Sequence, residues 1–241
     1  MTIKSNYVKL IGNFFRLNKN EKSSERKKQY MRNKFEFLGI AAPKRKDLLK
    51  EFIEKNGRPT EDEIIEIYKL EEREFQYIGI DLSSHQLNKI KDKKRLDLYW
   101  AMINHQPWWD TVDIIASRLI GSHFKKFPEI SQSYTDKWID SDDFWHRRIS
   151  LIYQLSYKKE TNTKLLFKYI EKTIDEKEFF IRKAIGWALR NLYKIQPLTV
   201  KKFVNSHPNL SNLSRREALK HDNDNTDKLE ESEEDEDQEL D

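Results

Sequence analysis

The chain contains no cysteine, and it has only 6 glycines and 6 prolines among its 241 residues. The missing cysteines exclude disulfides, thiolate metal sites and a cysteine nucleophile. The scarcity of glycine and proline leaves few turn signals, which favours an all-α chain over a β-rich one. No apolar run reaches the roughly 18 residues of a membrane-spanning helix. The N-terminal sequence MTIKSNYVKLIGNFFRL lacks the apolar block of a signal peptide, so we predict a cytoplasmic protein without a membrane partner.

Charge is distributed unevenly along the sequence. From His221 onward there are 12 Asp and Glu against one Lys, a net charge of −11, whereas the preceding body has 44 Lys and Arg against 29 Asp and Glu, or +15. A basic body favours a polyanionic partner such as nucleic acid, although scattered charge can also serve only solubility. We therefore predict a helical domain over residues 1–221 and an acidic, disordered tail over residues 222–241. That tail either competes with DNA for the basic body or only keeps the protein soluble.

Aromatic pairs recur along the chain at a nearly constant interval. WWDTVD, FWHRRI and FFIRKA begin at residues 108, 144 and 179, which are 36 and 35 apart, and the weaker FQYIGI begins at residue 75. Repeats of this length that each hold a helix pair predict a curved solenoid of HEAT-like repeats with a concave basic groove. Ser214 and Glu217 have capping-box spacing and predict the start of the last helix.

Four side chains occupy related positions in these repeats. Counted from the first residue of each aromatic pair, Trp109 is at +1, Asp113 at +5, Arg148 at +4 and Trp187 at +8, all on one helical stripe. If the helices stack in parallel, the four side chains converge on one surface. Taken singly, Trp109 is more typical of a core, Asp113 of a solvated or capping carboxylate, and Arg148 of a solvated surface. Their coincidence on one stripe favours a functional site.

Six stretches spread over about residues 5–221 match one known family in order: YMRNKFEFLGI, EREFQYIGIDL, PWWDTVD, the WHRR run, KEFFIRKAIGWALR and LSRREALKH. On these motifs the chain resembles the AlkD-type DNA alkylation repair family, the HEAT-like-repeat DNA glycosylases. The resemblance implies base excision repair in a bacterial cytosol by a monomeric, monofunctional glycosylase. The implied reaction releases cationic N3- or N7-alkylated purines, such as 3-methyladenine and 7-methylguanine, from duplex DNA. It leaves an abasic site and does not flip the base into a pocket, as most glycosylases do.

The resemblance also implies the roles of particular residues. The family's catalytic trio corresponds to Trp109, Asp113 and Trp187, and two residues of its DNA-facing surface correspond to Tyr30 and Arg148. Further DNA-binding candidates are aromatic and basic side chains near these positions and in the last helix: Phe179, Phe180, Arg182, Lys183, Arg190, Arg215, Arg216 and Lys220. The chain departs from some relatives by having Ala41 after FLGI, which bears on the range of lesions rather than on the reaction type.

The chemistry of an alkylated purine explains why these residue types suit the site. The cationic base departs neutral and needs no general acid, whereas the deoxyribose gains positive charge that a fixed carboxylate stabilises. Asp113 is the candidate carboxylate, and the indoles of Trp109 and Trp187 offer cation–π faces. Trp108 is predicted as a core residue and Asp110 as a charge in the first helical turn. No HExxH or glycine-rich phosphate loop occurs, so we predict neither a metal nor a cofactor.

Two other functions remain open from the sequence. One is a non-catalytic solenoid that binds distorted or branched DNA, and the other is a scaffold that binds proteins. Substitution of Asp113 by asparagine distinguishes the enzyme from the binding module. The enzyme should release alkylated bases more slowly after the substitution, whereas the binding module releases none in either form. The enzyme and the binding module should both bind DNA less tightly as the salt concentration rises, whereas the protein scaffold should show no such binding.

Overall fold

The computed structural model describes residues 6–85, 87 and 92–222, and within these ranges the chain forms helices and no β-strand. The prediction of an all-α protein is confirmed. The α-helices are α1 Asn6–Arg16, α2 Glu21–Tyr30, α3 Ala42–Asn56, α4 Glu61–Tyr68, α5 Arg73–Ser83, α6 Arg95–Ile103, α7 Trp109–Ile114, α8 Gly121–Lys126, α9 Pro128–Ile139, α10 Phe144–Ile152, α11 Thr163–Thr173, α12 Phe179–Tyr193, α13 Pro197–Ser206 and α14 Asn212–Ala218. A π-helix, Ile115–Ile120, joins α7 to α8. None of the helices in these ranges is long and apolar enough to cross a bilayer.

The chain divides into two compact units, Met1–Ile115 and Ala116–Asp241. In the first unit α5 packs against α3 and α7, and in the second unit α12 packs against α10 and α14. Packing between alternate helices is the pattern of stacked helix pairs, which agrees with the predicted helical repeats. The curvature and the concave basic groove remain predictions. The predicted acidic tail lies outside the described residues, apart from Asp222.

Polar contacts within each unit follow the same repeat length. In the first unit Arg73 binds Asp110, which is 37 residues further along the chain. In the second unit Lys172 binds Asp140, which is 32 residues earlier, at 2.6 Å. Both distances along the sequence are close to the interval between the aromatic pairs. Ion pairs therefore connect neighbouring repeats, in addition to the apolar contacts of the core.

The aromatic pairs mark the beginnings of helices. Helix α7 begins at Trp109, α10 at Phe144 and α12 at Phe179. The weaker motif at residue 75 lies two residues inside α5. In the α10 pair the second residue, Trp145, is buried. The periodic aromatic pairs therefore lie at or near the beginnings of helices, which agrees with the predicted helical repeats.

The last helix, α14, begins at Asn212, before the Ser214 cap that the capping-box spacing predicted. Ser211 is the N-cap residue of α14, and its Oγ accepts a hydrogen bond from the Ser214 amide at 3.1 Å. Ser214 lies inside the helix, where its hydroxyl donates to the carbonyl of Arg182 in α12 at 2.8 Å. The predicted capping box of Ser214 and Glu217 is therefore wrong, because the Ser214 hydroxyl connects two helices instead of capping one.

Candidate functional site

An exposed aromatic pair lies in the first unit. Tyr30, the last residue of α2, is 73% exposed, and Trp109, the first residue of α7, is half-buried. Their ring centroids are 6.4 Å apart and the ring planes meet at 77°. Because most of Tyr30 is exposed, its aromatic ring can contact a ligand beside the indole. The structure therefore brings together two of the residues that the sequence assigned to the site.

Asp113 lies one helical turn after Trp109 on α7 and is half-buried. Residues four positions apart share one face of a helix, so this face of α7 presents an indole and a carboxylate together. The π-helix Ile115–Ile120 begins two residues after Asp113. Single turns of π-helix are frequent at functional sites. The placement of the two residues on one face agrees with the predicted stripe.

The beginning of α7 is held by a buried ion pair. The Arg73 side chain is fully buried, with Nη2 2.5 Å from Asp110 Oδ1 and Nε donating to Asp110 Oδ2 at 3.0 Å. The Tyr77 hydroxyl donates to the same Oδ2 at 2.6 Å. Burial, followed by the charge of Asp110, raises the pKa of Tyr77 well above its usual range, so the phenol keeps the proton that it donates. Asp110 lies in the first turn of α7 as predicted, and its function there is to bind α5.

Arg73 makes further contacts that the sequence did not reveal. Its guanidinium donates to the Gln106 carbonyl and to Thr111 Oγ1, both at 3.0 Å, and also to the Gln76 side chain. Its central carbon lies 3.8 Å from the centroid of the Phe35 ring. A buried guanidinium is stable only when its donors are satisfied in this way. Arg73 lies within the EREFQYIGIDL motif, but no local pattern marks it as buried.

Trp108 is not the core residue that we predicted. It is the N-cap residue of α7 with extended backbone, and its side chain is half-buried. Lys34 Nζ lies 4.5 Å from the centroid of the indole, which is a surface cation–π contact. Val112, with no exposed surface, is a core residue of this segment instead. The difference arises because Trp108 lies before the helix in extended backbone, so the helical pattern does not set the direction of its side chain.

In the second unit, Trp187 is half-buried on α12 and follows a glycine that permits close helix packing. A Cβ added at Gly186 would lie 2.5 Å from the Cβ of Glu217 and 3.0 Å from the carbonyl oxygen of Ser214. Both of these residues belong to α14. The glycine of the AIGW motif therefore allows α14 to approach α12 more closely than any other residue would.

We expect Gly186→Ala to lower the free energy of unfolding by about 1–3 kcal/mol, because the added methyl group must push α14 away from α12. Urea denaturation measures the change. Gly12→Ala in α1 is the control, since its Cβ would meet only side-chain atoms, at 3.3 Å from the end of Arg16 and 3.7 Å from Leu70. That control should be neutral or slightly stabilising, because alanine is the better helix former. Equal unfolding curves for Gly186→Ala and the wild type would contradict the expectation.

Two of the predicted DNA-binding cations share one carboxylate. Lys183 Nζ lies 2.8 Å from Glu217 Oε1, and Arg190 binds the other oxygen of Glu217. Burial by itself would raise the pKa of Glu217, but the hydrogen bond from Lys183 and the nearby positive charges hold it below its ordinary value. Glu217 is therefore ionised at neutral pH. Part of the positive charge of Lys183 and Arg190 is balanced within the protein.

Arg148 and Arg215, both predicted to bind DNA, donate to carbonyl groups of the protein. Arg148 is only 3% exposed and donates to the carbonyl of Phe180. Arg215 donates to the carbonyls of Val204 and His207 at 3.0 and 3.1 Å, which satisfies the end of α13. In this structure Arg148 therefore connects α10 to α12. Its contact with DNA stays a prediction.

The remaining predicted DNA-binding residues of the second unit are half-buried or exposed. Phe180 packs against Trp145 with the ring centroids 4.9 Å apart, and Phe179 lies edge-on to Phe180 at 5.4 Å. The Nε of Arg182 donates to the carbonyl of Glu176 at 3.1 Å. The half-buried members of the set are Phe179, Phe180, Arg182 and Arg216, and Lys220 is exposed.

Comparison with known proteins assigns the family. A family model described as DNA alkylation repair enzyme matches residues 12–221. The chain belongs to this family. A solved structure described as a predicted DNA alkylation repair enzyme from Enterococcus faecalis is similar, with a TM-score of 0.76 and 33% sequence identity over 84% of this chain and 96% of that chain. Comparison with curated proteins gives no match.

Membership in the DNA alkylation repair enzyme family places the protein in DNA repair and indicates an enzyme. The family resemblance that the six motifs indicated is therefore confirmed. Membership alone does not define the reaction or the lesion. The glycosylase activity, the catalytic trio, the monomeric state and the cytoplasmic location remain predictions.

Proposed function

We propose that the protein hydrolyses the N-glycosidic bond of cationic N3- or N7-alkylated purines in duplex DNA and leaves an abasic site. The substrates include 3-methyladenine and 7-methylguanine. The observation that supports this most directly is the exposed pair of Tyr30 and Trp109, with Asp113 on the same face of α7 as the indole. Aromatic faces with an adjacent carboxylate suit a reaction whose transition state is cationic.

The reaction proceeds without protonation of the leaving group. When the bond between C1′ and the base nitrogen breaks, its electron pair goes to the base and cancels the fixed positive charge. The deoxyribose gains positive charge at the same time, and the Asp113 carboxylate stabilises that charge. A water molecule then forms a bond to C1′ and passes its proton to the carboxylate and on to solvent. The indole of Trp109 and the ring of Tyr30 contact the cationic nucleotide.

The proposal extends to residues of the second unit that the family resemblance implicates. Trp187 is proposed as a catalytic residue on the family resemblance alone. Arg182, Arg216 and Lys220 contact phosphates. Each such contact should steepen the slope of the logarithm of the DNA-binding constant against the logarithm of the salt concentration by about 0.9. Lys183 and Arg190 contribute less, because Glu217 balances part of their charge.

The proposal is tested with duplex DNA that contains a single 7-methylguanine. Released base and abasic sites are measured with excess protein and compared with the spontaneous rate without protein. Release above that rate supports the glycosylase. Salt-sensitive DNA binding without release would support the non-catalytic binding module, and an absence of salt-sensitive binding would support the protein scaffold.

We expect Trp109→Phe to slow base release by about 2- to 30-fold, the equivalent of roughly 0.5–2 kcal/mol of cation–π interaction. Phenylalanine keeps an aromatic face but interacts less strongly with a cation than indole does. Trp100→Phe is the matched control, because Trp100 is a half-buried indole on α6 of the same unit. Rates are measured under single-turnover conditions. Equal losses in both variants would show that the effect is not specific to Trp109.

A further inference from the structure

Three consecutive residues at the start of α5 bind three different parts of the first unit. Glu72 forms two hydrogen bonds of 2.7 Å with Arg16 of α1. Arg73 binds the first turn of α7, which begins with the indole of the exposed pair. Glu74 binds the segment that follows α2, the helix that ends with Tyr30. The side chains of Arg73 and Glu74 have no exposed surface.

The Glu74 carboxylate accepts four hydrogen bonds. The amides of residues 38–40 donate to it at 2.8, 3.0 and 3.2 Å. Lys27 Nζ donates to it at 3.0 Å and also to the Ile40 carbonyl at 2.6 Å. Lys27 lies three residues before Tyr30 on α2. Glu74 therefore contacts both the chain segment beside α2 and the last turns of α2 itself.

The segment bound by Glu74 is fitted closely against the beginning of α2. The Leu38 carbonyl accepts from the Asn20 amide at 2.8 Å, and the Phe37 carbonyl accepts from the Ser24 hydroxyl at 2.6 Å. Gly39 has φ +77°, and a Cβ at this position would lie 2.1 Å from the Asn20 carbonyl oxygen. Only glycine fits here, so α2 has little freedom to move relative to the segment that Glu74 holds.

We propose that Arg73 and Glu74 are positioning residues that together set the separation of Tyr30 and Trp109. Arg73 acts through Asp110 on the start of α7, and Glu74 acts through residues 38–40 and Lys27 on the end of α2. Because the two are adjacent in one helical turn, the aromatic residues share one rigid support. The catalytic consequence of this placement rests on the proposed function, whereas the placement itself does not.

The placement is tested first in the absence of DNA. Nuclear Overhauser effects between the ring protons of Tyr30 and Trp109 are recorded for the wild type, Glu74→Gln and Arg73→Lys. In Glu74→Gln an NH2 group replaces one of the two carboxylate oxygens, and it cannot accept a hydrogen bond. In Arg73→Lys the ammonium group cannot form the two parallel hydrogen bonds by which the guanidinium binds Asp110. We expect the ring contacts to weaken or disappear in both variants. Their retention in both folded variants would overturn the proposal.

Glu72→Gln is the matched control, because it weakens an ion pair in the same turn whose partner is Arg16 of α1. It should lower stability without changing the contacts between Tyr30 and Trp109. If Glu74→Gln does not fold, Glu74→Asp keeps the charge, shortens the side chain and serves the same comparison. Loss of the ring contacts in Glu72→Gln as well would show general loosening and overturn the specific role.

The catalytic consequence is measured as base release by protein that urea denaturation shows to be folded. We expect kcat to fall by roughly 10- to 100-fold in Arg73→Lys and Glu74→Gln, because small misplacements of contacting groups are costly. KM should change little and Glu72→Gln should keep the wild-type rate. A folded variant with lost ring contacts but normal kcat would overturn the catalytic part. If the wild type releases no base, the proposed function fails, and the ring contacts still decide the positioning role.

Discussion

Replacement of Asp113 by asparagine is expected to slow the release of 7-methylguanine from duplex DNA by roughly 10²- to 10³-fold. Removal of one preorganised group that stabilises developing charge typically has an effect of this size. Asparagine has nearly the same shape but no charge, so the variant should still fold and bind DNA. Single-turnover base release with excess protein measures the chemical step separately from binding.

The control for this substitution is Asp97→Asn, which removes an exposed carboxylate from α6 in the same unit. It changes the net charge equally and should leave base release unchanged. Base release at the wild-type rate by Asp113→Asn would remove this carboxylate from the mechanism.

Asp110→Asn, three residues earlier in the same motif, is expected to affect stability most. The substitution leaves the fully buried Arg73 guanidinium without a carboxylate, and loss of one partner of a buried ion pair costs about 3–5 kcal/mol. The single amide oxygen of asparagine cannot replace both carboxylate oxygens, which accept from Arg73 and Tyr77. Urea denaturation at neutral pH measures the loss.

Asp113→Asn serves as the control for Asp110→Asn, because both remove one negative charge from α7. We expect Asp110→Asn to lose more free energy of unfolding than Asp113→Asn does. Base release should be slower in both variants, because Asp110 is the group through which Arg73 holds the start of α7. An unfolding curve for Asp110→Asn that overlays the wild-type curve would show that its pair with Arg73 contributes no net stability.

The different positions of these two aspartates could be predicted from helix geometry. Trp109 and Asp113 are four residues apart and share a face, whereas Asp110 lies in the first turn on another face. The partner of Asp110 could not be predicted, because Arg73 is 37 residues earlier and is one of 45 Lys and Arg. The burial of a charged side chain depends on the neighbouring helix, and no local pattern specifies that neighbour.

The same limit applies to the contacts of Arg148. Its place on the predicted stripe was derived from helical periodicity, which gives the direction of a side chain but not what covers it. In the folded protein it is buried and binds the Phe180 carbonyl of α12. Lys183 and Arg190 were similarly assigned to DNA, and their shared partner Glu217 lies in α14.

The all-α class and the family could be predicted from the sequence. They follow from local properties, namely few glycines and prolines, a regular interval between aromatic residues, and ordered motifs. Which charges are exposed and which connect helices depends on how the helices pack. Arg73–Asp110 and Lys183–Glu217 join residues 37 and 34 positions apart. Such pairs form only when neighbouring repeats pack, because the packing itself removes water from both partners and makes their pairing necessary.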